Sequence, residues 1–198
     1  LGYSTIAQMG YITLCMAVGL RNNLTLALQS GFFIIITHAA AKSLAFLAKG
    51  VFHYYIDASE IKHLNQASNL PIFPSVAFGL SIISLSALPP LPGFIGKWIA
   101  LTSFFTSTDT ITVLSALIFL AGSLIAFGYY FPMLFILFSK PQKPGVIENG
   151  KRNQTKISLW MSLPIAVLVI SILFISVAPQ YLMDSTMEAA QFLMGMMR

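Results

Sequence analysis

Long apolar runs, each ended by a short cluster of polar or chain-breaking residues, organise this chain from one end to the other. The first runs from Leu1 to Leu20 and stops at Arg21-Asn22-Asn23. Ser4, Thr5 and Gln8 inside it are mild polar residues of the kind that mediate helix contacts in lipid. The second runs from about Leu24 to about Tyr55, longer than the roughly 20 residues that one bilayer crossing needs. A polar connector from Asp57 to Leu70 follows, with Glu60, Lys62, His63 and Asn65. The third run extends from Pro71 to Phe105 and ends in a polar turn, Thr106 to Thr110. The fourth runs from Ile111 to Phe138 and carries Pro132, which predicts a kink that membrane helices tolerate. Ser139 to Lys156 is the most polar loop, broken by Pro141, Pro144 and Gly145. The fifth run, Ile157 to Val177, stops before Pro179.

Leu88-Pro89-Pro90-Leu91-Pro92-Gly93-Phe94-Ile95-Gly96-Lys97-Trp98 interrupts the third run. Proline removes a backbone donor and clashes with the preceding turn, so no helix passes through this stretch unbroken. The flanking runs, Phe73 to Ala87 and Trp98 to Phe105, are each too short to span a bilayer, and together they suffice. Pro89, Pro90, Pro92 and Gly93 therefore predict one discontinuous helix whose break lies inside the membrane. Such loose backbone persists only under protein or beside water, which points to the lining of a hydrated ion path. Lys97 stands at the break with almost nothing polar around it, and a charge there is a functional candidate.

The tail, Gln180 to Arg198, differs. Met183, Met187, Ala190, Met194 and Met197 recur at three- and four-residue steps, with Asp184, Glu188 and Gln191 off that stripe. The spacing predicts an amphipathic helix, lying on the membrane, against a partner, or on the chain's own bundle. The expected architecture is thus all-α and transmembrane: five membrane segments, the third discontinuous, in a bundle over residues 1–178, and an amphipathic tail over residues 179–198.

Composition agrees. Hydrophobic residues make up 57% of the chain and charged residues 9%, against about 25% charged in soluble domains. Mean hydropathy is +0.81. The net charge of +5 is no nucleic-acid signal, because the basic residues are not clustered with aromatics on a polar surface. The single Cys15 excludes an internal disulfide and any Cys-based zinc or iron–sulfur site within this chain, and reads as a packed thiol. No cofactor and no metal are expected on it. Residue 1 is not Met and stands inside a helix-forming stretch, so the chain reads as the C-terminal part of something longer or as half of a split product.

Charge sets the expected orientation. With five crossings, the Asp57–Leu70 and Ser139–Lys156 connectors share a side and hold six basic residues, five of them Lys140, Lys143, Lys151, Arg152 and Lys156. The Arg21 turn, the Asp109 turn and the tail share the other, with two basic and three acidic residues. The positive-inside rule then places residues 57–70 and 139–156 in the cytoplasm. Asn23-Leu24-Thr25 and Asn153-Gln154-Thr155 match the glycosylation pattern and are read as chance matches.

Candidate chemistry rests on His38, Lys42 and Lys97. Spacing of four puts His38 and Lys42 on one helix face. Desolvation pushes a buried lysine towards neutrality and a nearby anion or water pushes it towards charge, so it can load and release a proton. Histidine titrates near neutral pH and uses either ring nitrogen. Bridged by water, the three are the physical minimum for moving protons through a bilayer. The plain alternatives are a snorkelling Lys97 or Lys42 and a packing His38. Lys49 and His53 read as interfacial, and His63, Asp57 and Glu60 as solvated. Trp98, Tyr54 and Tyr55 serve as interface anchors or as packing. No phosphate-binding glycine loop, nucleophile–base pair or metal-ligand spacing is present, so any redox chemistry belongs to another chain.

Three stretches carry a family resemblance. Leu1-Gly2-Tyr3-Ser4-Thr5-Ile6-Ala7-Gln8-Met9-Gly10-Tyr11, Thr37-His38-Ala39-Ala40-Ala41-Lys42-Ser43-Leu44-Ala45-Phe46-Leu47 and the proline-rich stretch ending in Lys97-Trp98 resemble, in order and spacing, motifs of antiporter-like membrane subunits. These occur in respiratory complex I, Mrp-type sodium/proton antiporters and membrane-bound hydrogenases. The resemblance covers about residues 1–140. It implies most of the second of two inverted five-helix repeats plus one later helix. It also implies His38 and Lys42 at central relay positions and Lys97 at the relay's far end. Some members carry Glu at the Lys97 position, and some carry a second His where Ile34 stands. The first repeat, with its Glu–Lys pair and cytoplasmic intake route, is not in this sequence and is expected on the same or a partner chain.

The function implied is a proton-translocating subunit of a membrane oxidoreductase such as NADH:quinone oxidoreductase or a related hydrogenase, itself non-redox, among other membrane-arm subunits and lipid. It would sit in a prokaryotic plasma membrane or an organellar inner membrane, with no nucleic-acid partner. The alternatives are a subunit of an Mrp-type sodium/proton antiporter and a structural membrane-arm subunit without transport.

Overall fold

A computed structural model describes residues 2–56, 71–139 and 157–197. All of its regular structure is helical among the described residues: α1 (Gly2–Asn22), α2 (Thr25–Ile56), α3 (Ile72–Leu85), α4 (Pro92–Phe105), α5 (Thr110–Phe138), α6 (Leu159–Val177) and α7 (Pro179–Met196). Four of these, α1, α2, α5 and α6, are long and apolar enough to cross a membrane. The connector from Asp57 to Leu70 lies outside the described residues, as does the loop from Ser139 to Lys156 after its first residue. So do His63, Asp57 and Glu60.

The longest helix, α2, is the hub. It packs against α1, α3, α4, α6 and α7, while α5 closes the other flank on α1, α3 and α4. Lipid tails are as apolar as leucine, so such helices associate through close packing, which favours small residues at the contacts. Accordingly Ala27, Ser30, Ala41, Ala45 and Ala48 are all but completely buried along α2. A Cβ on Gly19 of α1 would come 2.7 Å from the Leu28 side chain, and one on Gly96 of α4 would come 2.8 Å from Ile34. Phe33, Phe52, Phe78, Phe104 and Phe119 fill the space between helices. Outward, α5 and α6 present Leu117, Ile118, Leu124, Ile125, Ile170 and Phe174.

Two ends of the bundle can be told apart. At one, α1 turns into α2 through Asn23 at φ 54°, the left-handed cap that lets the Leu24 amide reach Gly19 O at 2.9 Å. Asp109 caps α5 at the same end. Its Oδ2 accepts from Thr112 N at 3.3 Å and Thr112 Oγ1 at 2.9 Å, and lies 3.7 Å from an Arg21 guanidinium nitrogen. Asn22 Nδ2 donates to Thr112 Oγ1. At the other end Ser158 N, just before α6, donates to Tyr55 OH at 3.4 Å.

The Thr112 hydroxyl, helped by Arg21 and the helix amides, holds the Asp109 carboxyl below its ordinary value. A carboxylate lowered in this way stabilises the fold at neutral pH, and that contribution is lost as pH falls from the ordinary carboxylate range through the lowered value. Asp109→Ala is expected to fray the first turn of α5, speeding amide exchange at Thr112 and Val113. Asp109→Asn keeps an acceptor and is expected to leave exchange near wild type.

Between α3 and α4 the chain is irregular. Leu85 ends α3 because the donor four residues on would be Pro89, which has none. Ala87 sits at φ 60°, where a non-glycine residue costs about 1–2 kcal/mol, and its amide bonds Ser84 O at 3.1 Å. The Pro89–Pro90 peptide bond is cis. Pro92 then starts α4 at the first helical position, where proline is preorganised. α5 runs through Pro132 as one helix.

The tail helix α7 packs across the start of α2. Gln29 Nε2 donates to Met183 O at 2.9 Å, and Ala190 and Met194 close over Leu28 with Leu193 beside them. Its buried face follows the expected stripe: Ala190 and Met194 are buried, Met183 and Met187 half-buried, and Asp184, Glu188 and Gln191 exposed. Thr186 is buried, whereas Met197 is exposed together with Phe192 and Met196. Trp98 is 57% exposed and stacks on Phe94 with centroids 5.8 Å apart, so it is not core packing.

Candidate functional site

The three ionisable residues singled out in the sequence all face the interior. His38, Lys42 and Lys97 are 8%, 7% and 5% exposed. What aligns them is α1. Ser4, Gln8 and Tyr11 stand at spacings of four and three, hence on one face of that helix. Ser4 and Gln8 are buried polar residues, and Tyr11 is a buried aromatic.

Each meets a different part of the site. Lys42 Nζ donates to Ser4 Oγ and lies 5.7 Å from the Phe46 ring centroid. Lys42 therefore turns inward to α1 and does not extend towards the end of the bundle. Gln8 lines a small cavity with His38, Thr37, Ile34, Ser84 and Gly93. Gln8 Nε2 also donates to Leu85 O at 3.4 Å, the carbonyl that Pro89 cannot serve. Lys97 Nζ sits 4.4 Å from the Tyr11 ring centroid. From Ser4 to Tyr11 the helix rises about 10 Å, so the row runs along the first half of α1.

The cavity beside His38 offers about 10 Å³ to the centre of a water molecule, enough room for one. His38 Nδ1 has no hydrogen-bond partner among the described residues, so a water there would have a polar group to serve. Ile34, four residues before His38, forms part of the same wall.

Lys97 is the least compensated of the three. Among the described residues its Nζ has no hydrogen-bond partner, and the carboxylates Asp109, Asp184 and Glu188 do not pair with it. A lysine at mid-membrane costs about 2.5–3.5 kcal/mol on insertion scales. A desolvated aromatic face returns about 2 kcal/mol. The Tyr11 ring beneath its Nζ thus offsets part of the cost of burying a charge on Lys97.

Local backbone explains why the ionisable side chains meet here. A Cβ on Gly93 would lie 1.8 Å from Ser84 O, so the start of α4 crosses the end of α3 with no space between backbones. Gly96 in turn seats α4 on Phe33 and Ile34 of α2. Those two contacts bring Lys97 to α1 and His38 to the break.

Lys49 is half-buried and His53 exposed, further along α2, and neither joins the row. Cys15 is fully buried and free. Among the described residues no three His, Cys, Asp or Glu side chains are grouped as metal ligands would be. Tyr11 is the site residue that sequence reasoning missed. The signal was its place seven residues after Ser4 and three after Gln8, on the polar face of α1.

Membrane-length apolar helices around a buried row of ionisable side chains define an integral membrane protein of the helical-bundle class. The chain belongs to the NADH:quinone oxidoreductase/Mrp antiporter transmembrane family, which matches residues 1–126. It is similar to Na(+)/H(+) antiporter subunit A1 of Staphylococcus aureus strain JH9, 26% identical over 209 residues that cover 96% of this chain and 25% of that protein. It is also similar to the chloroplastic NAD(P)H-quinone oxidoreductase subunit 5 of Zygnema circumcarinatum, 31% identical over 169 residues that cover 80% of this chain and 22% of that one. The chain thus spans about a quarter of the length of the curated relatives it matches. Its fold matches a chain of respiratory complex I from Thermus thermophilus solved with bound aureothin. There the TM-score is 0.58 at 21% identity, over 92% of this chain and 38% of that one.

Proposed function

We propose that this chain is part of a proton-translocating, antiporter-like subunit in which Lys42, His38 and Lys97 pass protons through the bilayer. The observation that carries this reading is the alignment of all three buried groups along Ser4, Gln8 and Tyr11 of α1. Lys97 serves as the outer terminus, and its charge rises and falls as work is delivered from neighbouring subunits of a membrane oxidoreductase. Ordered water beside His38 completes the path where Ile34 replaces a second histidine.

In this reading α3 and α4 together make one discontinuous crossing, the third of five, in a bundle over residues 1–178. At about 21 Å each, neither half spans the roughly 30 Å hydrocarbon core. The end carrying Arg21 and Asp109 faces away from the cytoplasm and the Tyr55 end faces towards it, in a prokaryotic plasma membrane or an organellar inner membrane. The partners are the other membrane-arm subunits and the first antiporter-like repeat.

Lys97→Ala in the assembled complex is expected to abolish proton uptake into vesicles while the complex still assembles. Wild-type stoichiometry with normal assembly would end this reading. Tyr11→Phe keeps the ring under Lys97 and is expected to retain transport, whereas Tyr11→Leu removes the cation–π contact and is expected to lower it several-fold. Equal rates for the two would separate Tyr11 from the mechanism.

The similarity to an antiporter subunit over 96% of this chain favours a second reading, ion exchange driven by a gradient. Sodium-dependent proton movement in vesicles without any electron donor would select it. Co-purifying flavin or iron–sulfur subunits would select the first.

A further inference from the structure

Helices α1 and α5 run antiparallel, and their contacts fix the register. Asn22 at the end of α1 meets Thr112 at the start of α5. Further along, Tyr11 packs on Phe119 with ring centroids 4.8 Å apart. A Cβ on Gly122 would lie 3.0 Å from the Tyr11 hydroxyl, and Ser123 faces the same hydroxyl. Seven residues make about two turns of helix. Seven residues on from Ser123 and seven back from Tyr11 therefore bring Tyr130 opposite Ser4. The Tyr130 hydroxyl accordingly faces Ser4.

Tyr130 is 1% exposed, and its ring belongs to the core around Ala41, Leu44 and Ala45, the α2 residues that flank Lys42. Phenylalanine would fill that space without taking a hydroxyl out of water. Buried polar groups are as a rule hydrogen-bonded, so one without a partner asks for an explanation. The Tyr130 hydroxyl faces Ser4 and Tyr129, yet has no hydrogen-bond partner among the described residues.

Ser4 supplies the explanation. Its oxygen accepts from Lys42 Nζ. A serine hydroxyl carries one proton on a rotating bond, so an oxygen that accepts from an ammonium turns its own proton away from it. A phenol oxygen opposite Ser4 can take that proton. With the rotor set in this way, the Ser4 lone pairs stay on Lys42 and hold it turned towards α1.

We propose that Tyr130 is a positioning residue for Lys42. Its hydroxyl, after a small tilt of the ring, accepts from the Ser4 O–H and keeps the Ser4 oxygen aimed at Lys42 Nζ. The inference rests on the proton-translocating reading above and adds to it a residue of α5 that acts through Ser4.

The test reads proton uptake by the native complex in proteoliposomes, together with its thermal midpoint. Tyr130→Phe keeps the ring and is expected to lower uptake several-fold at an unchanged midpoint. Ser4→Ala is expected to lower uptake at least as far. Because Tyr130 acts through Ser4, the double variant is expected to transport as Ser4→Ala alone does. Losses that multiply in the double variant would overturn the proposal, since they mark two independent packing defects. Wild-type uptake by Tyr130→Phe would also overturn it. Lys97→Ala separates this inference from the reading beneath it. If Lys97→Ala abolishes uptake and Tyr130→Phe leaves it intact, the relay stands and the positioning role falls. If Lys97→Ala leaves uptake intact, both fall. Should Tyr130→Phe not assemble, Tyr130→His is compared with Tyr130→Leu. The histidine keeps an acceptor opposite Ser4 and is expected to transport faster, and equal rates would overturn the proposal.

Discussion

Gly93→Ala is expected to destabilise the native fold severely. The added Cβ would lie 1.8 Å from Ser84 O and 2.9 Å from the Ser84 carbonyl carbon. Both obstacles are backbone, so no rotamer change relieves them. Ser84 O also accepts the Ala87 amide at 3.1 Å, which anchors it to the turn. Overpacking among mobile side chains costs about 1–3 kcal/mol, and a backbone collision belongs at or above the top of that range. Against a total stability of about 5–15 kcal/mol, this is a large fraction. The expected result is loss of the monodisperse peak in detergent chromatography, or a midpoint lowered by about 6–12 °C. Gly96→Ala meets the Ile34 and Phe33 side chains, which can shift, and is expected to cost less. Gly128→Ala meets nothing within 4 Å and is expected to be silent. Equal midpoints for the Gly93 and Gly128 variants would refute this account of the break.

Lys97→Ala and the better-filling Lys97→Met are expected to lower proton uptake at least tenfold without harming assembly. The two halves of this expectation have separate causes. In the proposed relay, transport falls because its outer terminus no longer holds a proton. Stability holds because Lys97 Nζ has no hydrogen-bond partner among the described residues to be stranded by its removal. Replacing a buried charge with a well-packed apolar side chain is often neutral or stabilising. Lys97→Met should therefore melt at or above the wild-type temperature while transporting poorly. A purely structural subunit predicts the reverse, normal transport in every variant that assembles. Lys42 behaves differently, since its Nζ makes a buried hydrogen bond to Ser4 Oγ, so a Lys42 variant changes packing as well as transport.

Much of this was legible in one dimension. The apolar runs ending at Leu20, Tyr55 and Phe138 correspond to helices ending at Asn22, Ile56 and Phe138, because chain breakers and charges act locally. The prolines from Pro89 to Pro92 separate α3 from α4 for the same reason: a missing donor ends a helix wherever the chain folds. Unusual charges in apolar runs likewise drew attention to His38, Lys42 and Lys97 before any contact was known.

Facing relations were not legible. In helices as uniformly apolar as α5 and α6, the sequence carries little preference for which side turns inward, and lipid offers no contrast to the core. Only the packed bundle puts Tyr11 under Lys97 and Ser4 against Lys42. It also turns Trp98 outward and seats Ala190 and Met194 of α7 on Leu28 of α2. The chain alone therefore determined the helical membrane class and the helix ends, and pointed to three ionisable residues. Tertiary structure decided their partners, because partnership depends on helix rotation, which close approach at Gly93 and Gly96 sets and apolar periodicity does not.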